Sequence, residues 1–182
     1  IMYFLKKINT KNKGNETKKI TAEGTYAARV FVYNSAGNSR NCSVGTYKLD
    51  KTAPDCPTIS SSPNKPNGNN NYYTSEVVLT IKPSSDTNHW DWATDDGNSW
   101  HTYSTNVKGK QQKKLISDGT RQGRIIVYDN AGNARTCYTD KYKIDKTAPD
   151  CPTIKTSGTK GDNGWYTSKI NVTVSQPKDI DQ

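Results

Sequence analysis

Apolar positions in this chain fall in short alternating or β-branched runs and never recur at helical spacing. Residues 77–81, Val-Val-Leu-Thr-Ile, follow a polar stretch and predict a strand. A first strand is expected at 56–59. Strands at 89–93 and 99–103 flank Thr-Asp-Asp-Gly-Asn, and Asp-Gly is the strongest short hairpin cue. Further strands are expected at 113–117, 124–128 and 137–144, with Ala131-Gly132-Asn133 turning the chain between the last two. Six or seven short strands with turns every 8–12 residues predict an all-β chain built as a β-sandwich.

The pattern is written more than once. Asp-Lys-Thr-Ala-Pro-Asp-Cys-Pro-Thr-Ile occupies 50–59 and again 145–154. At the same offset of 95, Gly24-Thr25 falls on Gly119-Thr120, Cys42 on Cys137, and Tyr47-Lys48 on Tyr142-Lys143. Tyr72-Tyr73-Thr74-Ser75 matches Trp165-Tyr166-Thr167-Ser168 at an offset of 93, the slip falling in the Asn/Gly/Pro-rich stretch 62–71, where loop length is cheap to vary. The expected organisation is the back half of one repeat at 1–50, a complete repeat at 51–145, and the front of a third at 146–182. With no Met at position 1, the chain reads as a segment of something longer.

Composition narrows the class. Apolar residues make up 31% of the 182, well under the usual share of about 45–50%, so several thin cores are expected in place of one large one. The net charge of +9 permits contact with anionic polymers, but the Lys and Arg are dispersed; the densest clusters are Lys6-Lys7 and Lys110 to Lys114. A solvated surface is the favoured reading and no specific nucleic-acid partner is expected. No run approaches ~18 apolar residues, so no membrane insertion is expected of this segment. The apolar opening, Ile1 to Leu5, is too short for a signal peptide.

Tyr128-Asp129-Asn130-Ala131-Gly132-Asn133, followed by Tyr142-Lys143-Ile144-Asp145-Lys146-Thr147-Ala148-Pro149, resembles the bacterial immunoglobulin-like repeats found in tandem on Gram-positive surface proteins. Similar modules occur in phage virion proteins. The resemblance covers nearly the whole chain. It implies immunoglobulin-like sandwiches, an extracellular, cell-surface or virion setting, and a stalk, spacer or display role without enzymatic activity. Adhesin- and fibre-like proteins are the setting it implies. It implies no particular ligand.

Four cysteines stand at 42, 56, 137 and 151. Spacing alone invites the pairs 42–56 and 137–151. In a seven-strand sandwich, however, the starts of the first and last strands lie at one pole, which brings Cys56 to Cys137. Asp-Lys-Thr-Ala-Pro is an extended linker, because the residue before Pro avoids the helical region. The expected bond is Cys56–Cys137, one per repeat, with the partners of Cys42 and Cys151 outside the chain. Zinc is not expected without Cys-x-x-Cys and with only His89 and His101.

The remaining chemistry is sparse. No His-Glu-x-x-His, Gly-x-Ser-x-Gly or phosphate loop occurs, and Asp95-Asp96 sits in a turn, so no catalytic residue and no cofactor is expected. Asp129, Asn130, Asn133, Asp145 and Asp150 offer oxygen ligands near the joints, but they match no calcium-loop spacing. Trp90 and Trp92 share a strand face, with Trp100 expected to join them from the next strand. They are candidate ligand-facing aromatics for a host glycan or wall polymer; filling the core is the favoured alternative.

Overall fold

The computed structural model describes residues 8, 9, 15, 17–95 and 99–178. The Ile1 to Leu5 opening, Lys6-Lys7 and the Asp96 turn lie outside them. The chain is all-β. In order, the strands are β1 (Ile8–Asn9), β2 (Gly24–Tyr33), β3 (Ser39–Leu49), β4 (Thr58–Ser62), β5 (Tyr72–Tyr73), β6 (Val77–Lys82) and β7 (His89–Asp95). There follow β8 (Trp100–Val107), β9 (Gln111–Leu115), β10 (Gly119–Tyr128), β11 (Ala134–Ile144), β12 (Thr153–Ser157) and β13 (Asn171–Ser175). They form four sheets: β1-β2-β3, β4-β6-β9, β5-β11-β10-β7-β8 and β12-β13.

The three-stranded sheet β4-β6-β9 and the five-stranded sheet share one core. Val77, Leu79 and Ile81 project from β6; Trp90 and Trp92 from β7; Ile125 and Val127 from β10; Tyr142 and Ile144 from β11. Alternation explains the choice, since successive side chains leave a strand on opposite faces. On β11 the alternation slips by one. Cys137 and Thr139 face inward, and then Tyr142 and Ile144 do, because a bulge places Gln122 opposite Lys141 but Arg124 opposite Tyr138. Gly123 sits at that bulge. A Cβ there would overlap the Trp92 ring and lie 2.9 Å from Thr139 Cγ2, so the close packing of Trp92 needs glycine. The Gly123 amide donates to Thr139 Oγ1 at 2.8 Å, which satisfies the buried hydroxyl.

Two expected strands are shifted: β4, expected at 56–59, begins at Thr58. β9 lies two residues earlier than 113–117, and only Leu115 in Gln-Gln-Lys-Lys-Leu is buried. It is a polar edge strand, whose position is set by pairing with β6 and not by its own pattern. β5 is only two residues long and pairs in parallel with the end of β11.

The chain outside this sandwich follows the same register. β2 and β3 begin and end 95 residues before β10 and β11 at every boundary, and their bulge, between Ala28 and Arg29, occupies the corresponding place. β12 lies 95 residues after β4. In both hairpins the turn is folded on its first side chain. Asn34 Oδ1 accepts the amides of Ala36 and Asn38, and Asp129 Oδ1 those of Ala131 and Asn133.

Candidate functional site

The features that set this chain apart gather around the segment 50–57, where the repeated decapeptide leaves β3 and enters β4. Cys56, just before β4, is disulfide-bonded to Cys137 on β11, with Cα atoms 5.8 Å apart and a sequence separation of 81. The bond ties the two sheets of the sandwich together at one pole. Pro54, two residues before Cys56, is fully buried. Arg135 reaches the Asp55 carboxylate and the Ala53 carbonyl, both at 3.4 Å, and Ser84 Oγ donates to the Asp55 carbonyl at 3.0 Å. Cys42 and Cys151 are unpaired and exposed.

The start of the segment is held by a residue to which sequence reasoning gave no role. Glu23, immediately before β2, accepts the Lys51 amide at 2.8 Å and the Thr52 hydroxyl at 2.8 Å on Oε1. The arrangement recurs 95 residues on. Asp118, immediately before β10, accepts the Lys146 amide at 3.2 Å and the Thr147 hydroxyl at 2.6 Å. Within the motif, Asp50 and Asp145 each accept the amide two residues on, from Thr52 and Thr147, both at 3.1 Å. The Asp-Lys-Thr tripeptide is thus a preformed turn whose exposed donors fit one carboxylate. The sequence signal was an acidic residue before Gly-Thr in both copies, disguised by its change from Glu to Asp.

The electrostatics match the geometry. The Thr52 hydroxyl, then the Lys51 amide, hold the Glu23 carboxyl below its ordinary value. The Thr147 hydroxyl does the same for Asp118, helped by the Lys146 amide and the charges of Lys146 and Arg121. A lowered folded-state pKa means that the contribution is complete above the unfolded value and is lost as pH falls through the folded one. The clamp therefore works at neutral pH and opens in acid. Replacing Thr147 by Val is expected to raise the Asp118 midpoint toward that of an unperturbed carboxyl, as read from a carbon-13 carboxyl titration. An unchanged midpoint would show that the hydroxyl is not the cause.

The three candidate tryptophans, Trp90, Trp92 and Trp100, are not all brought together. Trp90 and Trp92 are in the core, 0% and 2% exposed, and the Trp90 indole donates to the Gly109 carbonyl at 3.1 Å. Neither can stack on a ligand, which corrects the reading of them as ligand-facing. Trp100 is on the opposite face of the sheet. It pairs with Asp95, which is an odd number of positions from Trp90 and Trp92 along β7, and it lies over Arg124 (guanidinium carbon 5.0 Å from the ring centroid) with its ring centroid 5.6 Å from that of Tyr138.

Two other candidates have settled surroundings. Asp129 spends its carboxylate on its own turn, Oδ2 accepting from Asn133 Nδ2 at 2.8 Å, and these bonds hold its pKa down. No cluster of three or more His, Cys, Asp or Glu side chains suited to a metal occurs among the described residues. A cleft of about 350 Å³ opens between the sheet edges at β8 and β9, lined by Tyr103, Lys113, Lys114 and Arg121 among others. Lys113 donates to Ser104 Oγ at 2.7 Å there, and burial lowers its pKa. No protein-family model and no curated protein matches this chain.

Proposed function

We propose that this chain is a non-catalytic stretch of a tandem array of immunoglobulin-like sandwiches, about 95 residues per repeat, which acts as a stalk outside the cell. The repeats run 1–50, 51–145 and 146–182, the outer two incomplete. The observation that carries the reading is the doubled joint. The same decapeptide leaves the last strand of one unit and opens the next, and at both occurrences a carboxylate from the preceding unit grips its first residues. A linker gripped in this way transmits orientation from one unit to the next, which a flexible tether does not. The disulfide is compatible with an oxidising, extracellular location such as a cell or virion surface.

Nitrogen-15 relaxation tests the joint. Residues 24–49 and 58–144 are expected to share one rotational correlation time at neutral pH, and Glu23→Ala is expected to split it. Separate tumbling in the unaltered chain would refute a stiff stalk.

A second reading, a module for anionic wall polymers, draws support from the cleft lined by Lys113, Lys114 and Arg121. Specific binding there would persist on an anionic column at moderate salt, whereas elution at that salt marks charge alone.

A further inference from the structure

The outer face of the five-stranded sheet carries a guanidinium that no neighbouring acceptor uses. Trp100 on β8, Arg124 on β10 and Tyr138 on β11 meet there, although β7 lies between β8 and β10. Adjacent strands are about 4.8 Å apart, so the indole must cross β7 to reach Arg124. It crosses at the small side chain of Ala93, which is 3% exposed and pairs with Arg124. Arg124 also pairs directly with Tyr138 and lies 5.0 Å from the Trp100 ring centroid, so its neighbours on two sides are aromatic. Among the described residues Arg124 makes no hydrogen bond and no ion pair. Its Nε is buried without an acceptor, whereas its two terminal amino groups are not buried. The β7 carboxylates are engaged elsewhere: Asp91 accepts the Asn106 amide and the Tyr128 hydroxyl, and Asp95 the Gln122 amide. A charged donor left without a partner in a native fold is costly and points to one that binds. The sandwich itself does not require the cluster. In the preceding repeat Arg29 stands at the place of Arg124, but its cross-strand partner is Ser43 where this repeat has Tyr138. The Tyr138 ring is 54% exposed.

We propose that Trp100, Arg124 and Tyr138 form a binding site for an acidic saccharide, a pyranose ring bearing a carboxylate. The guanidinium fork matches a carboxylate, which accepts two parallel N–H donors at once. The indole and phenol rings are flat apolar surfaces on which the C–H face of a sugar ring stacks. A bare anion has no use for the two rings, and a neutral sugar leaves the fork without its charged partner; a sugar with a carboxylate uses both. The net charge of +9 favours the approach of an anion. Beside Tyr138 a hollow of about 400 Å³ opens toward β4, lined by Ser60, Ser61, Asn64 and Asp140 among others. Its hydroxyl and amide groups suit the next sugar of a chain, and the Asp140 carboxylate favours a neutral one there. The site shares no residue with the cleft between β8 and β9, so it holds whether or not that cleft takes a polymer. It gives one repeat of the proposed stalk a ligand of its own.

The test titrates the 182-residue chain with a hexasaccharide of alternating glucuronate and N-acetylglucosamine and follows nitrogen-15 shifts. The Trp100 indole and Arg124 Nε resonances are expected to move and saturate, while the indoles of the buried Trp90 and Trp92 stay in place. The same hexasaccharide with its carboxyls reduced to alcohols is expected to bind about ten-fold more weakly, for want of the charge-assisted pair. That comparison needs no variant, so it decides even where a substitution disturbs the fold. Arg124→Lys keeps the charge and loses the fork, and Tyr138→Ser introduces the residue type found at Ser43; each is expected to weaken binding several-fold. Lys113→Gln, in the cleft, is expected to leave it unchanged. The proposal is overturned if the reduced hexasaccharide binds equally well, or if acetate at the same carboxylate concentration displaces the hexasaccharide. It is also overturned if Arg124→Lys binds like the unaltered chain, or if the shifts centre on Lys113 or do not occur.

Discussion

Removing the Cys56–Cys137 bond, by Cys56→Ala with Cys137→Ala, is expected to lower the stability of the 58–144 sandwich by about 4.5 kcal/mol. The figure follows from closing a loop of 81 residues in the unfolded chain. For a domain of this size that corresponds to a fall in melting temperature of roughly 20 °C. The effect matters because the core is thin: a small sandwich buries a modest share of its surface and sits close to the margin of stability. Denaturant titrations of the oxidised chain, the reduced chain and the double variant would measure it, with the latter two agreeing. A loss under about 1 kcal/mol would mean that the unfolded ensemble is already restrained at that pole.

Trp90→Ala is expected to cost about 3–5 kcal/mol, the range for emptying a large aromatic from a packed core. Trp90 is fully buried, its indole nitrogen satisfies the Gly109 carbonyl, and the Lys113 ammonium lies 5.6 Å from the ring centroid. All three contacts go at once, and the Gly109 carbonyl is left without that donor. Trp100→Ala serves as the comparison. That ring lies on the outer face over Arg124, and its loss is expected to cost under about 1.5 kcal/mol. Urea midpoints of the two variants would measure the difference. Equal losses would mean that the outer aromatic cluster carries as much of the fold as the core.

Strands whose own residues carry the pattern were legible in the sequence. Val77 to Ile81 and Arg124 to Tyr128 alternate or branch strongly enough to stand alone, and both are strands as expected. The neighbourhood of Cys56 and Cys137 followed from strand direction, which requires only the order of elements. What could not be seen depends on register between strands. The hairpin register that sets Trp100 opposite Asp95, and so on the outer face, leaves no mark in its local sequence, because it depends on where the two strands begin to pair. β9 is similar, since its residues are polar and its place is dictated by β6. The Glu23 and Asp118 clamps were hidden for another reason. Each joins groups 28 or 29 residues apart through exposed oxygens, and no periodicity reports such contacts.

The position of the disulfide also decides how the sandwich bears a pull. Tension entering along 50–55 meets Cys56 at once, crosses the sulfur bridge to Cys137, and leaves down β11 to Ile144. The stretch between the two cysteines, which holds most of the core, is bypassed. A stretched chain can therefore pull the sheets out of register without paying out that length. Its end-to-end reach is limited by a covalent bond and one strand, and the hydrophobic core keeps the shape without carrying the load.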